Sequence, residues 1–312
     1  MRYTYYPGCS AAGTGRPFDE SLRAVFAALG APLEALEDWN CCGATAYPGV
    51  DEAKGLALSA RNLALTEQSW PGPQPVDLVT ACAGCYRALL KSERALAQSG
   101  EMAQRVHSAL RTVGLRHEGR ARARHSLDVI VNDIGLERVA QAVARPLEGL
   151  RVACYYGCLL TRPYATFDDR DSPTSMERLM RAIGAEPVDW ALRTRCCGSS
   201  CYCGGPFIGA LPDATLRLSY SLLEDAKRLG SDIVVTACPL CQFNLEAFQG
   251  QMGRTFGKPV GLTVGYYTQL VGLALGLGEK ELGIKRMLRW RLPERSAPLV
   301  AAEAKGGAVE SE

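Results

Sequence analysis

Ten of the thirteen cysteines in this chain form two copies of one pattern. Each copy contains a single cysteine, an adjacent pair and a Cys-x-x-Cys segment, with 31 or 37 residues before the pair and 39 or 40 after it. Spacing repeated in this way predicts that the chain folds twice in a similar manner around two sulfur-ligated metal centres. The predicted ligands are Cys9, Cys41, Cys42, Cys82 and Cys85 in the first half, and Cys158, Cys196, Cys197, Cys238 and Cys241 in the second.

The repeat extends beyond the cysteines. Residues 22–36 match residues 176–190, and both predict an amphipathic helix, a Gly-Ala turn and a short extended segment leading into the Cys-Cys pair. Residues 76–80 and 232–236 are short apolar runs of strand type, and a Cys-x-x-Cys segment follows each of them. The period of about 150 residues therefore indicates a duplicated domain.

This alternation of strands and helices predicts an α/β protein made of two pseudo-symmetric domains. Each domain would contain a mainly parallel sheet, flanking helices and one five-cysteine site. We expect an N-terminal domain at residues 1–145, a C-terminal domain at residues 146–292 and a flexible tail at residues 293–312, which is rich in Ala, Gly and Glu. Residues 92–123 are predicted to form a helical insertion in the first domain.

The overall composition limits the classes of function. With 47% hydrophobic residues the chain can bury a large core, and a formal net charge of +2 gives no reason to expect a nucleic-acid partner. The N-terminal residues lack the apolar segment of a secretory signal, and no apolar run is long enough to cross a membrane. A cytoplasmic protein is the expectation, and in that compartment the cysteines favour metal or redox chemistry over structural disulfides.

The arrangement of the thiols favours an iron–sulfur cluster in each half. Each Cys-x-x-Cys lies where a strand is predicted to end and a helix to begin, so its thiolates would face a helix N-terminus that favours negative charge. Adjacent residues in an extended chain point to opposite sides, so a Cys-Cys pair suits two irons of one cluster better than one ion. Five thiols also exceed the four that a structural zinc needs. Zinc in at least one half and inert buried thiols remain the alternatives.

Other residues are weaker candidates for a functional role. Cys154 lies in a strand-like run and is predicted to be a buried core thiol. Cys201 and Cys203 lie in a Gly-rich loop after the second Cys-Cys pair, where they could contact substrate or take part in redox chemistry. His125 opens an apolar run, and a hydrogen-bonded structural histidine is the alternative to a catalytic role.

The doubled motif resembles the cysteine-rich CCG family, and within it the B-type subunit of heterodisulfide reductase. The resemblance spans residues 1–290 and includes residues around the cysteines as well as the cysteines themselves. The matching motifs are Tyr6-Pro7-Gly8-Cys9, Ala60-Arg61-Asn62-Leu63, Ala81-Cys82-x-Gly84-Cys85-Tyr86, His125 with Asn132-Asp133-Ile134-Gly135, Tyr156-Gly157-Cys158 and Cys238-Pro239-x-Cys241.

The resemblance implies two noncubane 4Fe–4S clusters held by the ten cysteines, and cleavage of a disulfide placed between them. It also implies partners, namely a ferredoxin-like C-type subunit, a flavin-containing A-type subunit and, in some complexes, a lipoate-binding carrier protein. Tyr155 stands where methanogen-like members commonly have His, and the Cys201/Cys203 loop replaces a thiol-free Gly-rich stretch. These departures favour the heterodisulfide-reductase-like proteins of sulfur-oxidising bacteria. An iron–sulfur subunit for glycolate, lactate or succinate oxidation and a zinc-stabilised scaffold are the alternatives.

Overall fold

The computed structural model describes residues 3–44, 47–70, 72–98, 100–198 and 212–293. Cys201, Cys203 and residues 294–312 of the predicted tail lie outside these ranges.

The first half of the chain forms a four-stranded parallel sheet with the strand order β2-β1-β3-β4. Helices connect the strands, as a parallel sheet requires. In chain order the elements are β1 (Tyr3–Tyr6), a 3₁₀ turn (Cys9–Ala12), α1 (Arg16–Ala28), β2 (Leu33–Ala35), α2 (Tyr47–Val50), α3 (Glu52–Ser69), β3 (Val76–Thr80), α4 (Ala83–Ala97), α5 (Glu101–Thr112), β4 (Ala121–His125), α6 (Ser126–Asp128), a π-helix (Val129–Gly135) and α7 (Leu136–Gln141).

The second half forms another four-stranded parallel sheet with the equivalent order, β6-β5-β7-β8. Its elements are β5 (Arg151–Tyr155), α8 (Gly157–Thr161), α9 (Ser175–Ala182), β6 (Glu186–Pro187), α10 (Pro212–Arg228), β7 (Ile233–Thr236), α11 (Pro239–Ala247), α12 (Gln249–Phe256), β8 (Thr263–Tyr266), α13 (Tyr267–Ala274) and a 3₁₀ turn (Ile284–Arg286).

The predicted fold class is confirmed, because the two sheets share strand order, direction and connections. The first strand of each half lies in the middle of its sheet and pairs with the strand that precedes Cys-x-x-Cys. Since all strands in a sheet run the same way, the segments that follow them meet at one edge. Both five-cysteine sets are therefore gathered at the carboxyl edges of the two sheets.

The two halves pack against each other through helices α1 and α13. Phe18 on α1 stacks on Tyr266 with ring centroids 4.3 Å apart, and the hydroxyls of Ser21 and Thr268 lie 2.7 Å apart. Both serine and threonine are fully buried. This contact joins the cores of the halves and fixes the distance between the two sheet edges.

The predicted helical insertion at residues 92–123 is only partly correct. Helix α4 continues to Ala97 and α5 follows, but residues 121–123 begin strand β4. The strand alternates buried Ala121 and Ala123 with outward arginines, so its basic character conceals a pattern of period two. Arg124 remains half-buried because Asp77, Asp128 and Asp133 surround its guanidinium. No helix in the described ranges has the length and apolar character needed to span a membrane.

Candidate metal centres

Each Cys-x-x-Cys segment begins a helix, as the sequence predicted. Cys82 is the N-cap of α4 and Cys238 is the N-cap of α11, where Pro239 occupies the first helical position. Cys85 and Cys241 follow in the first turn. The free N–H groups and the positive end of the helix dipole therefore lie beside both thiols of each segment, an environment that stabilises thiolates and anionic groups.

The two Cys-Cys pairs have the same backbone support. A glycine follows each pair with a positive φ, 72° at Gly43 and 83° at Gly198. This conformation directs the glycine N–H back to the first thiol of the pair, at 3.5 Å from Cys41 Sγ and 3.2 Å from Cys196 Sγ. Gly198 also lies against Thr215, so a side chain there would clash with α10.

The remaining cysteine of each half follows the first strand, Cys9 after β1 and Cys158 after β5. A glycine precedes each one, and both glycines have φ near +70°. A Cβ atom at Gly8 would lie 3.1 Å from Cys85 Sγ, and one at Gly157 would lie 3.3 Å from Cys241 Sγ. The backbone thus approaches the Cys-x-x-Cys thiols closely in both halves, and only glycine leaves the thiols their space.

Hydrogen bonds between thiols link the cysteines within each half and across the halves. Cys42 Sγ lies 3.3 Å from Cys85 Sγ, and Cys197 Sγ lies 3.4 Å from Cys241 Sγ. A further thiol contact joins Cys82 to Cys238 and lowers the pKa of Cys82 well below its usual range. The two sites therefore meet directly at their Cys-x-x-Cys segments.

The outer thiols are also connected and are activated. Hydrogen bonds from Cys42 and Cys9 hold the pKa of Cys41 far below its ordinary value. In the second half a hydrogen bond from Cys158 is the main cause of a pKa of about 6 at Cys196. A thiolate is the form that ligates metals, so each site offers ligand-competent sulfur near neutral pH.

The thiols form an inner and an outer group. Cys9 and Cys41 are exposed and Cys158 and Cys196 are half-buried. The inner group consists of buried thiols in both halves, namely Cys42, Cys82, Cys85, Cys197, Cys238 and Cys241. A group bound at either site would thus be enclosed on the protein side and reachable from the outer side.

Tyr6 and Tyr155 were named from the sequence beside the ligand cysteines, but the hydrogen bonds by which they hold the ligand segments were not predicted. The Tyr6 hydroxyl donates to Asn40 O at 2.8 Å, and the Tyr155 hydroxyl donates to Arg195 O at 2.6 Å. Each acceptor directly precedes a Cys-Cys pair. Both tyrosines stand three residues before a ligand cysteine, and that equal spacing was the available signal.

His125 lies between the two sites and is fully buried. Its Nε2 is 3.0 Å from Ala81 O and 3.2 Å from Ala237 O, the carbonyls that precede Cys82 and Cys238. Its Nδ1 accepts the Leu127 N–H, which fixes Nε2 as the donor. Burial lowers the pKa of His125 to about 4. These contacts favour the structural alternative over catalysis.

Cys154, the one described cysteine outside the repeat, does not join the sites. Cys154 is buried in β5, and burial raises its pKa well above the usual range. All eleven described cysteines are free thiols. Within the described residues, no group of three or more Cys, His, Asp or Glu side chains is arranged to hold a single metal ion.

The residues fit the iron–sulfur group that the motif implies. Each site supplies five free thiols from the described part of the chain, two of them at a helix N-terminus, and glycine leaves space beside the inner thiols. These donors are the soft sulfur ligands that iron–sulfur clusters require.

Comparison with known proteins shows the family. A model of the cysteine-rich CCG domain matches residues 3–90 and 152–246, one match in each half, so the chain belongs to this family. It is 32% identical over 79% of its length to the B-type subunit of the ferredoxin:CoB-CoM heterodisulfide reductase of Methanosarcina mazei, covering 80% of that protein. A protein of Archaeoglobus profundus that is named for its likeness to the same heterodisulfide reductase subunit is 29% identical over 91% of the chain and 94% of its own length.

One further sequence relative and one solved structure also match the chain. The 8-methylmenaquinol:fumarate reductase membrane anchor subunit of Wolinella succinogenes is 30% identical over 90% of this chain and 95% of that protein. A crystal structure of a hypothetical protein from Helicobacter pylori superposes with a TM-score of 0.68 at 14% identity. The match covers 92% of this chain but about half, 52%, of that structure, and it supports the fold alone. The CCG domain and the heterodisulfide reductase relatives support an iron–sulfur oxidoreductase subunit that works with partner subunits.

Proposed function

We propose that this protein is the iron–sulfur catalytic subunit of a heterodisulfide-reductase-like complex, and that it interconverts a disulfide and two thiols at two noncubane 4Fe–4S clusters. The observation that carries the proposal is the pair of equivalent five-thiol sites that meet at Cys82 and Cys238. One site would be sufficient for electron transfer, whereas two sites facing each other suit a substrate with two sulfurs.

The reaction needs two electrons and two protons, which convert one disulfide into two thiols. The clusters, when bound, supply one-electron redox chemistry and sulfur-binding iron. The chain itself would hold them in equivalent orientations, with the two helix N-termini stabilising their negative charge. The α1–α13 contact and His125 would keep the two sites at a fixed separation, so that both sulfurs of one substrate are reached together.

Electrons would enter from partner proteins, a ferredoxin-like C-type subunit and a flavin-containing A-type subunit. The departures at Tyr155 and in the Cys201/Cys203 loop support cytoplasmic sulfur oxidation, with thiols or a sulfur species on a lipoate-binding carrier protein as substrate. In that direction two thiols form a disulfide and release two protons, and their two electrons leave to the same partner subunits. Tyr155 lies beside the second site and donates to Arg195 O, where it would shape the substrate's approach.

Metal analysis of anaerobically purified protein tests the proposal. About eight irons per chain and no zinc are expected from two four-iron clusters. Cys41→Ala and Cys196→Ala should each lose about half of the iron and one spectroscopic signal. Cys154→Ala alters a buried thiol outside both sites and should keep all of the iron. About four irons with one zinc would refute the two-cluster proposal.

A second candidate function has support from one relative. The match to the fumarate reductase protein of W. succinogenes favours an iron–sulfur subunit that passes electrons in a succinate or fumarate type of oxidoreductase. Turnover of a disulfide with reduced viologen as electron donor separates the two. The heterodisulfide-type function requires turnover that is lost in both Cys41→Ala and Cys196→Ala, whereas full iron loading without any disulfide turnover favours electron transfer alone.

A further inference from the structure

Two buried hydroxyls at equivalent positions have no hydrogen-bond partner in the described structure. Thr80 ends β3 and Thr236 ends β7, each two residues before the first cysteine of a Cys-x-x-Cys segment. Both residues are 0% exposed, and Oγ1 is unpaired in each. A buried hydroxyl without a partner is destabilising, so its occurrence at both equivalent positions indicates a partner other than the polypeptide.

The strand register places these two threonines on the sheet face that carries Tyr6 and Tyr155. Thr80 pairs with Tyr6 on β1, and Thr236 pairs with Tyr155 on β5. Register partners project from the same face of a sheet. The rings of Tyr6 and Tyr155 border the two sites, because a Cβ atom at Gly8 would lie 3.1 Å from Cys85 Sγ and 3.4 Å from Tyr6, and one at Gly157 would lie 3.3 Å from Cys241 Sγ and 3.6 Å from Tyr155.

The neighbouring donors already have acceptors. The hydroxyls of Tyr6 and Tyr155 are bonded to the carbonyls before the Cys-Cys pairs. The N–H groups of Gly43 and Gly198 serve the outer thiols. His125 is bonded to two carbonyls. Thr80 and Thr236 thus add one side-chain donor each to the free N–H groups at the starts of α4 and α11, and the described residues provide no acceptor for either hydroxyl.

We propose that Thr80 and Thr236 each donate a hydrogen bond to a sulfur atom of the group that the cysteines of their own half bind, and thereby raise its reduction potential. The inference rests on the proposed iron–sulfur clusters. A hydrogen bond to sulfur stabilises the reduced form more than the oxidised form, because the reduced form carries one more negative charge. Each threonine therefore sets the reduction potential of its own site.

Redox titrations monitored by electron paramagnetic resonance test the inference one site at a time. Thr80→Val is placed in the Cys196→Ala background, where the first site is the intact one, and Thr236→Val in the Cys41→Ala background. Each is expected to shift the remaining midpoint potential to more negative values, with about a tenfold change in the ratio of oxidised to reduced cluster, or about 59 mV. Thr66→Val is the matched control, because its buried hydroxyl already donates to Asn62 O and is not available to a bound group.

Crossed and conservative variants make the result decisive. Thr80→Val in the Cys41→Ala background should leave the second site's potential unchanged, and Thr80→Ser should keep the unsubstituted value because it keeps the hydroxyl. If a valine variant does not retain its cluster, Thr80→Ser and Thr80→Ala give the same comparison. Unchanged potentials in protein that contains its clusters overturn this inference alone, whereas absence of iron from the unsubstituted protein overturns the proposed function itself.

Discussion

The two halves anchor the loop before their last strand with opposite charges. In the first half the Glu67 carboxylate on α3 accepts the backbone N–H groups of Glu118, Arg120 and Ala121. At the equivalent position of α10, Lys227 donates to the Val260 carbonyl in the loop before β8. The same task is performed by an acceptor in one half and a donor in the other. The backbone path was thus retained after duplication while the side-chain chemistry changed.

The last strands differ in a similar way. His125 ends β4 and Tyr266 ends β8, and both lie in register with the threonine that precedes a Cys-x-x-Cys segment. His125 reaches both halves through Ala81 O and Ala237 O, whereas Tyr266 stacks on Phe18. The thiols and the backbone around them are alike in the two halves, but the connection between the halves is asymmetric.

The largest expected effect comes from breaking this asymmetric connection. His125→Phe keeps an aromatic ring but leaves the two carbonyls and the Leu127 N–H without their partner, at a cost of about 3 kcal/mol in the free energy of unfolding. Tyr266→Phe keeps the stack on Phe18 and removes a hydroxyl that donates to Gln242 at 3.3 Å and belongs to the N-terminal cap of α13, so its cost should be about 1 kcal/mol. Urea midpoints of the two variants, measured anaerobically, make the comparison. Equal shifts would show that His125 does not connect the halves.

A smaller effect is expected at the anchors of opposite charge. Glu67→Gln replaces a carboxylate that accepts three backbone N–H groups and should cost about 2 kcal/mol at neutral pH. Lys227→Met removes one hydrogen bond and should cost about 1 kcal/mol. Ser92→Ala, which removes a buried hydroxyl bonded to Leu56 O, serves as a control of local cost away from these loops.

The Glu67 contribution should also depend on pH. Burial alone would raise its pKa, but hydrogen bonds from His117 and from the backbone N–H groups of Glu118 and Ala121 outweigh burial and lower the pKa to about 2. The folded state therefore holds this proton less tightly than the unfolded state does. The stabilisation is complete above pH 4.5, the ordinary value of the group, and is lost as the pH falls from there toward 2. The difference in urea midpoint between Glu67→Gln and the unsubstituted protein should narrow between pH 5 and pH 3; a constant difference contradicts this assignment.

The sequence alone predicted the features that depend on spacing along the chain. The duplicated cysteines, the strands before Cys-x-x-Cys and the helices that start at Cys82 and Cys238 follow from local patterns, and the structure confirms these elements. The domain boundary at residues 145/146 stays a prediction. Strand β4 was missed because its alternating arginines resemble a solvated helix until their partners Asp77 and Asp133 are known.

Contacts between distant segments could not be predicted in the same way. The carbonyls bonded to His125 lie 44 and 112 residues away, and the stack of Phe18 on Tyr266 joins opposite ends of the chain. No local propensity records such pairs, since they depend on how the two sheets face each other. For this reason the asymmetric connection became visible only in the folded structure.

The smallest expected effect separates two serines that support the Cys-Cys pairs. The Ser59 hydroxyl donates to Cys42 O at 2.8 Å, and the Ser219 hydroxyl donates to Cys197 O at 3.0 Å. In the second half Asn244 also donates to Cys197 O, at 2.6 Å.

Ser59→Ala should therefore cost about 1 kcal/mol, and Ser219→Ala only about half as much, because Asn244 still satisfies the carbonyl. The rate of iron release to a chelator, followed separately for each site in the Cys196→Ala and Cys41→Ala backgrounds, provides the measurement. A loss of about 1 kcal/mol corresponds to a several-fold change in rate, so we expect Ser59→Ala to accelerate iron release from the first site several-fold. Ser219→Ala should accelerate iron release from the second site about twofold. The double variant Ser219→Ala with Asn244→Ala should bring the second site to at least the rate of the first, because both donors to Cys197 O are then removed. A second site that stays slow in the double variant would show that the cluster ligands, and not these donors, hold the Cys-Cys backbone in place.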